Sequence, residues 1–228
     1  MSVEHLNDAA IVLHRVFSQE GIKFGIFGGF AIRIMGGLRS TKDIDCLASA
    51  SKDQVVKLLH KNGGFEAISQ VRDNYAAFFW DDQVNSHRPV LVEIFCEQFE
   101  GSKHSMENIS CVDIHINGRS SGQGVSTFLG PFELFKGKLH AAATRSKFHD
   151  SADLRALMKM SEVDIKPRAG ELNLKDVGLA VKRHPELEFL FRHLEVDLVQ
   201  AKRAAKDVNL NDIQQPIAVG AVQSGLLA

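Results

Sequence analysis

The chain changes character at Gly130-Pro131, and this change constrains the fold more than any other feature of the sequence. Before it, short β-rich runs alternate with helical stretches and are separated by glycine turns or polar segments. After it, apolar residues recur at helical spacing with no β-rich run between them. The sequence therefore predicts a mixed β-sheet flanked by helices, an α/β (α+β) fold, with a helical C-terminal part.

Hydrophobic periodicity locates the elements of both parts. Strands are predicted at Lys23–Phe27, Asp43–Leu47, Tyr75–Trp80, Val90–Phe95 and Cys111–Ile116, and helices at 4–19, 30–35, 52–62, 132–142, around 154–158, at 174–183 and at 186–206. Pro167 and Gly170 interrupt the helical part, so we expect a core at 1–165 and a helical extension at 166–228. The apolar tail from Pro216 to Ala228 is compatible with docking or with fraying.

Composition limits the classes of function. The chain is 44% apolar and 24% charged, as globular proteins are, and its start lacks the basic and apolar regions of a signal peptide. Three cysteines, Cys46, Cys96 and Cys111, cannot all pair with one another and lie in apolar stretches. We therefore expect a cytoplasmic protein without a membrane span. A net charge of −1 gives no general attraction for nucleic-acid backbones.

A glycine turn suited to phosphates follows the first predicted strand. Gly28-Gly29 exposes backbone N–H groups without side chains, and the positive end of a helix follows. Further along, Arg39 and Thr41 add a fork of donors and a hydroxyl that could bind phosphate oxygens. This segment predicts a site for a phosphorylated ligand.

Two carboxylates come directly after these donors. Asp43 and Asp45 stand at positions i and i+2 of a strand, so their side chains project to one face about 7 Å apart along the chain. Such a pair can hold one or two hard divalent cations. The alternative, a solvated strand end, is less consistent with acids that follow a glycine turn.

These residues resemble the signature of the DNA polymerase β-like nucleotidyltransferase superfamily, in which a Gly-Gly turn precedes an Asp-x-Asp pair. Arg39-x-Thr41-x-Asp43-Ile44-Asp45 is most similar to the AbiEii-type abortive-infection toxin branch, some of whose relatives transfer nucleotides to tRNA. A block in the helical part follows the order of that branch: Glu133, Lys136, Lys138, Leu139, Ala141, Arg145, Asp150, Asp153 and Leu154. The resemblance covers about residues 20–160.

The resemblance requires a third acid on a neighbouring strand. We predict Glu93, because apolar residues flank it on Val90–Phe95 and a carboxylate on a buried strand must be paired or metal-bound. Asp113 is the competitor, since it has the same local pattern in Val112-Asp113-Ile114 and lies closer to the helical block.

The resemblance implies an Mg²⁺-dependent enzyme that transfers a nucleotide from an NTP to an acceptor by in-line attack on the α-phosphate. Two Mg²⁺ ions would be held by Asp43, Asp45 and Glu93, and Glu93 could also serve as the base. The residues implied to bind the nucleotide are Gly28, Gly29, Arg39, Thr41, Lys138 and Arg145. The acceptor stays open between tRNA, a protein and a small molecule, as does an antitoxin-like regulatory protein partner.

Other interpretations compete with this one. The same fold could bind a nucleotide or a partner without transfer, or use its cleft for other chemistry. No His-x-x-x-His or Cys-x-x-Cys spacing supports a zinc site. Tyr75 and Trp80 share one predicted strand and are predicted to be core residues.

Overall fold

The computed structural model describes residues 2–82, 88–213 and 219–227. Part of the predicted tail, at 216–218 and 228, lies outside these residues. The described residues form two units. The sheet unit comprises 2–34, 38–82, 88–130 and 227, and the helical unit comprises 35–37, 131–213 and 219–226. The division at Gly130-Pro131 is the point at which the sequence changes character.

The sheet unit confirms the predicted mixed sheet. Its elements are α1 (Val3–Gln19), β1 (Phe24–Phe27), α2 (Gly28–Ile34), β2 (Asp43–Ser51), α3 (Lys52–Leu59), β3 (Phe65–Ile68), β4 (Tyr75–Trp80), β5 (Val90–Gln98), β6 (Cys111–Asn117) and β7 (Gln123–Leu129). Within the described residues, seven strands form one sheet in the order β3-β4-β5-β2-β1-β7-β6. β2 pairs with β5, and β1 with β7, in parallel, while the other pairs are antiparallel.

Local signals in the sequence determine where these helices start and which face they bury. The Ser51 side chain accepts a hydrogen bond from the Gln54 backbone N–H, which is the predicted cap of α3. The apolar face of α1, formed by Leu6, Ala10, Leu13 and Phe17, is at most 1% exposed. The Phe17 ring meets Phe24 of β1 edge-on at 5.2 Å between centroids, which joins the helix to the sheet.

Two strands, β3 and β7, were not expected from the sequence. β3 has only four residues, which is too short for a periodicity to show. β7 contains Gly124, and glycine is uncommon inside strands. A Cβ on Gly124 would lie 2.8 Å from the Ile11 side chain, so the glycine lets α1 approach the sheet closely.

The helical unit contains α4 (Pro131–Thr144), α5 (Phe148–Ile165), α6 (Leu174–Arg183), α7 (Glu188–His193), α8 (Leu198–Ala204) and most of α9 (Ala221–Leu227). α4 packs against α5 and α6, and α6 packs against α8. The predicted boundary between 165 and 166 coincides with the end of α5, inside this unit. Within the described part of the chain, no helix has the length and apolar character to cross a membrane.

The continuous helix predicted over 186–206 is wrong. Glu195 has φ +61, a left-handed conformation that ends a right-handed helix. The Asp197 side chain then accepts a hydrogen bond from the Gln200 N–H at 2.9 Å and starts α8. The segment therefore forms two short helices, α7 and α8. The apolar repeat continues through the break, but the Asp197 cap starts a new helix there.

Candidate active site

The structure brings the three predicted acids to one face of the sheet. Asp45 of β2 is in register with Glu93 of β5, and the two strands run parallel. Paired residues of neighbouring parallel strands project to the same face, with the strands about 4.8 Å apart. Asp43 lies two residues earlier on β2 and shares that face. All three carboxylates are half-buried, whereas Ile44 between the aspartates is buried.

The glycine turn lies directly against these acids. β1 ends at Phe27, which pairs with Asp45. Gly28 follows with φ +74, and a Cβ added there would lie 2.1 Å from Asp45 Oδ2. A Cβ on Gly29 would lie 3.1 Å from Thr41 Oγ1 and 3.2 Å from Arg39 Cζ. The predicted glycine turn, the donors and the carboxylates therefore form one cluster. At the two glycines the backbone occupies this cluster without the Cβ atom that any other residue would add.

The hydroxyl of Thr41 binds a catalytic candidate. Thr41 Oγ1 donates a hydrogen bond to Asp43 Oδ1 at 2.6 Å, which orients that carboxylate. Arg39 extends beside Gly29 and is half-buried. The predicted contacts of Arg39 and Thr41 with a nucleotide stay predictions, but their positions at the glycine turn are those that such contacts need.

Tyr75 belongs to this site, although no local pattern in the sequence indicates it. The expectation that Tyr75 is a core residue is wrong: it is half-buried, and its hydroxyl donates to Glu93 Oε1 at 2.5 Å. Arg72 lies over the tyrosine ring, 5.4 Å from its centroid. Trp80 is buried as expected, at 2% exposure. The β4–β5 register explains the position of Tyr75 beside Glu93. Ala77 pairs with Glu93, and Tyr75 lies two residues before Ala77 on the same face of β4.

Tyr75 is the single tyrosine of the chain, so its ionisation can be measured by ultraviolet absorbance. The pKa of Tyr75 is raised well above its usual value. Burial is the largest cause, and the hydrogen bond to Glu93 and the negative charge of Glu93 add to it. We expect tyrosinate absorbance to appear above the usual pKa of about 10. Because the folded-state pKa is the higher one, the folded protein should lose stability as the pH rises past 10.

Glu93→Gln serves as the comparison in this titration. It removes the negative charge beside the phenol, so the pKa of Tyr75 should fall towards the ordinary value while burial still raises it. A tyrosine that titrates near pH 10 in the folded wild-type protein would contradict the observed contact.

Asp113 occupies a different part of the sheet. It lies on the edge strand β6, and both β7 and β1 separate β6 from β2. Its side chain is exposed and accepts a hydrogen bond from Thr127 Oγ1 at 2.7 Å. The sheet order therefore favours Glu93 over Asp113 as the acid that accompanies Asp43 and Asp45.

Lys138 and Arg145 belong to the helical unit, where both bind acids. Lys138 Nζ lies 2.7 Å from Asp153 Oδ2 and 3.3 Å from Asp150 Oδ1, and Arg145 Nε lies 2.7 Å from Asp150 Oδ2. Burial alone would raise the pKa of Asp150, but the Arg145 hydrogen bond and the Lys138 charge hold it below its usual value. These bonds give both cations a structural role, and their contact with a nucleotide stays a prediction.

The close approach at Gly28 predicts a large difference between two glycine substitutions. Gly21 and Gly28 both have positive φ, but a Cβ on Gly21 would meet nothing within 4 Å. Gly21→Ala should cost about 1 kcal/mol of unfolding free energy from backbone strain alone. Gly28→Ala should cost about 3 kcal/mol, because its methyl group also displaces Asp45. Denaturant unfolding of the two variants measures this, and equal losses would contradict the packing at Gly28.

Comparison with known proteins gives structural likeness alone. No protein-family model matches the chain, and no curated protein matches it in sequence. The structure is similar to an antigenic nucleotidyltransferase-like protein from Paracoccidioides brasiliensis, with a TM-score of 0.62 and 20% identity over 84% of this chain and 94% of that one.

Two further solved structures are more distant. The lincomycin-bound lincosamide antibiotic adenylyltransferase LnuA gives a TM-score of 0.45 at 12% identity, over 68% of this chain and 97% of its own. The antibiotic-resistance factor ANT(2'')-Ia gives 0.47 at 13% identity, over 83% and 96%. The closer likeness to the Paracoccidioides protein shows the fold, whereas the AbiEii-type branch stays a prediction. The chain thus has the α/β fold of nucleotidyltransferase-like proteins.

Proposed function

We propose that the protein is an Mg²⁺-dependent nucleotidyltransferase that transfers NMP from an NTP to a hydroxyl acceptor. The observation that carries this proposal is the register between Asp45 and Glu93, with Asp43 on the same face of the sheet. Three carboxylates grouped beside a side-chain-free turn repel one another in the absence of a cation, and their oxygens are the donors that a divalent cation prefers.

The three carboxylates are suited to bind Mg²⁺ together with the phosphates of an NTP. Carboxylate oxygens are the donors that Mg²⁺ prefers, and Mg²⁺ is usually bound by one or two carboxylates together with substrate phosphates. The oxygens of Asp43, Asp45 and Glu93 are spread too widely for all three to lie within 4.8 Å of one another. This spacing suits ions shared with phosphate oxygens better than one ion enclosed by the protein. Asp43, Asp45 and Glu93 would hold such ions.

In the proposed reaction the acceptor oxygen forms a bond to the α-phosphorus, and the bond from that phosphorus to pyrophosphate breaks. Glu93, held in place by the Tyr75 hydroxyl, takes the acceptor proton. Gly28 lets phosphate oxygens approach the backbone, and Arg39 at Gly29 neutralises their charge. Bound Mg²⁺ would supply charge stabilisation at the reacting phosphate and at the leaving pyrophosphate.

The acceptor hydroxyl belongs to an RNA end, a protein side chain or a small molecule. The three free cysteines fit a reducing cytoplasm, where we place the protein. We retain a regulatory protein partner, membership of the AbiEii-type branch, and a core at 1–165 followed by an extension at 166–228 as further hypotheses.

Pyrophosphate release from NTPs with Mg²⁺ and a cell extract as the source of acceptor tests the proposal. Glu93→Gln removes the base and a metal ligand, so release should fall at least a hundredfold. Asp113→Asn changes the same kind of group on the edge strand and should leave release unchanged. Loss of release in Asp113→Asn with full release in Glu93→Gln would refute the assignment of the third acid, and no release from the wild type would refute transfer.

A further inference from the structure

A second group of polar side chains lies at the start of α1 and contains none of the acids of β2 and β5. His5 and Asp8 are one helical turn apart on α1 and approach Asp82, the second residue after β4. Their potential ligand atoms all lie within 4.8 Å of one another, which no other group of His, Cys, Asp or Glu achieves among the described residues. We call this group the His5 cluster. The proposed reaction does not use it.

His5 has one ring nitrogen bonded and the other available. The residue is only 6% exposed, and its Nε2 lies 3.3 Å from the Arg88 carbonyl oxygen. A carbonyl can only accept, so Nε2 donates in this hydrogen bond, and in the neutral imidazole the lone pair is then on Nδ1. Nδ1 is buried, and the described part of the chain offers it no hydrogen-bond partner.

This arrangement is the one that metal-binding histidines adopt. A histidine ligand commonly donates its second N–H to a backbone carbonyl or a carboxylate, which fixes the ring and its tautomer. A buried polar atom without a partner is destabilising, so a native structure needs a reason to retain one. A cation beside Nδ1 satisfies that atom.

The carboxylates of the cluster are held in position. Asp8 is fully buried and accepts hydrogen bonds from the backbone N–H groups of Arg119, Ser120 and Ser121, at 2.7–3.1 Å. Asp82 is half-buried, and its Oδ2 accepts a hydrogen bond from Ser120 Oγ at 2.8 Å. The loop between β6 and β7 therefore orients both acids before any cation binds.

We propose that His5 Nδ1, Asp8 and Asp82 bind a divalent transition-metal ion of the Zn²⁺ or Mn²⁺ type. An ion at the centre of three donors no more than 4.8 Å apart lies at most about 2.8 Å from each, so a contraction of several tenths of an ångström reaches metal–ligand distances. One imidazole and two carboxylates suit Zn²⁺ or Mn²⁺, because imidazole is a poor ligand for Mg²⁺.

The bound ion would connect α1, the end of β4 and the β6–β7 loop. It would do so independently of the proposed catalytic acids, because Asp43, Asp45 and Glu93 contribute none of its ligands. No local motif indicates this site, since Asp82 lies 74 positions after Asp8 and no His-x-x-x-His spacing occurs.

The test measures Zn²⁺ binding by calorimetry in the full chain carrying Asp43→Asn and Asp45→Asn, which removes two of the three proposed catalytic ligands. We expect one Zn²⁺ per chain and, at a hundredfold excess over the dissociation constant, a rise in melting temperature on the order of 5 °C. Adding His5→Gln should abolish both effects. His14→Gln is the matched control, because His14 lies on the same helix but contacts Thr127.

Absence of binding in the Asp43→Asn/Asp45→Asn chain overturns the proposal, as does unchanged Zn²⁺ affinity after His5→Gln. Should His5→Gln not fold, Asp82→Asn replaces it, since Asp82 is half-buried and follows a strand end. That variant should weaken Zn²⁺ binding at least tenfold, and full affinity in it would equally refute the site. These outcomes do not depend on whether the protein transfers nucleotides.

Discussion

Replacing Asp45 by Asn should lower the rate of pyrophosphate release from NTP about a thousandfold. The substitution keeps the size of the side chain but removes one negative charge at the point where β1, β2 and β5 meet. Charge stabilisation by metal ions is worth several kcal/mol in the transition state, and 1.4 kcal/mol corresponds to about tenfold in rate. Initial rates at saturating Mg²⁺ and NTP measure the loss.

Asp53→Asn is the control for that experiment. Asp53 also carries a carboxylate but is exposed in the first turn of α3, so its replacement should leave the rate within about twofold. A weaker apparent affinity for Mg²⁺ in Asp45→Asn alone would support a role in metal binding. Equal rates for Asp45→Asn and the wild type would remove Asp45 from the reaction.

Asp150→Ala should lower the unfolding free energy by about 3–5 kcal/mol, the usual cost of leaving a buried charge without its partner. The Asp150 side chain is fully buried, and it binds both Arg145 and Lys138, whose side chain is only 8% exposed. Denaturant unfolding monitored by circular dichroism measures the loss. Asp164→Ala on the same helix should change stability by less than about 0.5 kcal/mol, because Asp164 is exposed.

The same aspartate makes stability depend on pH. Because the folded-state pKa of Asp150 is held below its usual value, its contribution is present above about pH 4 and is lost as the pH falls through the folded-state pKa. Asp150→Asn should therefore flatten the acid side of the stability profile. If the unfolding free energy of Asp150→Asn falls with decreasing pH as steeply as that of the wild type, groups other than Asp150 cause the fall.

Local chemistry made much of the site predictable. The glycine turn, and the projection of Asp43 and Asp45 to one face, follow from conformational rules that act over two or three residues. Glu93 was identifiable because an acid between apolar residues on a strand needs a partner. The structure agrees in placing Asp45 and Glu93 side by side.

Contacts that depend on long-range pairing were not predictable. The hydrogen bond from Tyr75 to Glu93 requires the register of β4 on β5, which no pattern within either strand contains. The pairing of Lys138 with Asp153 likewise requires α4 and α5 to pack together. Sequence periodicity assigned helices to both segments but carries no information about which charged residues meet.

Failures of periodicity had local causes. In 186–206 the apolar repeat continues through Glu195, whose left-handed backbone interrupts the helix. β7 was overlooked because Gly124, which the close approach of Ile11 requires, lowers the strand signal. Both errors arose where tertiary packing or a cap overrode the propensity of the segment.

The most direct test of nucleotide transfer compares NTPs labelled at the α- and the γ-phosphate, incubated with the protein, Mg²⁺ and a cell extract. Transfer predicts that α-label appears on an extract component while γ-label leaves as pyrophosphate, and that a chelator or Asp43→Asn/Asp45→Asn prevents both. NTP that binds but stays intact with every acceptor fraction, or that releases γ-label as phosphate alone, would contradict the account.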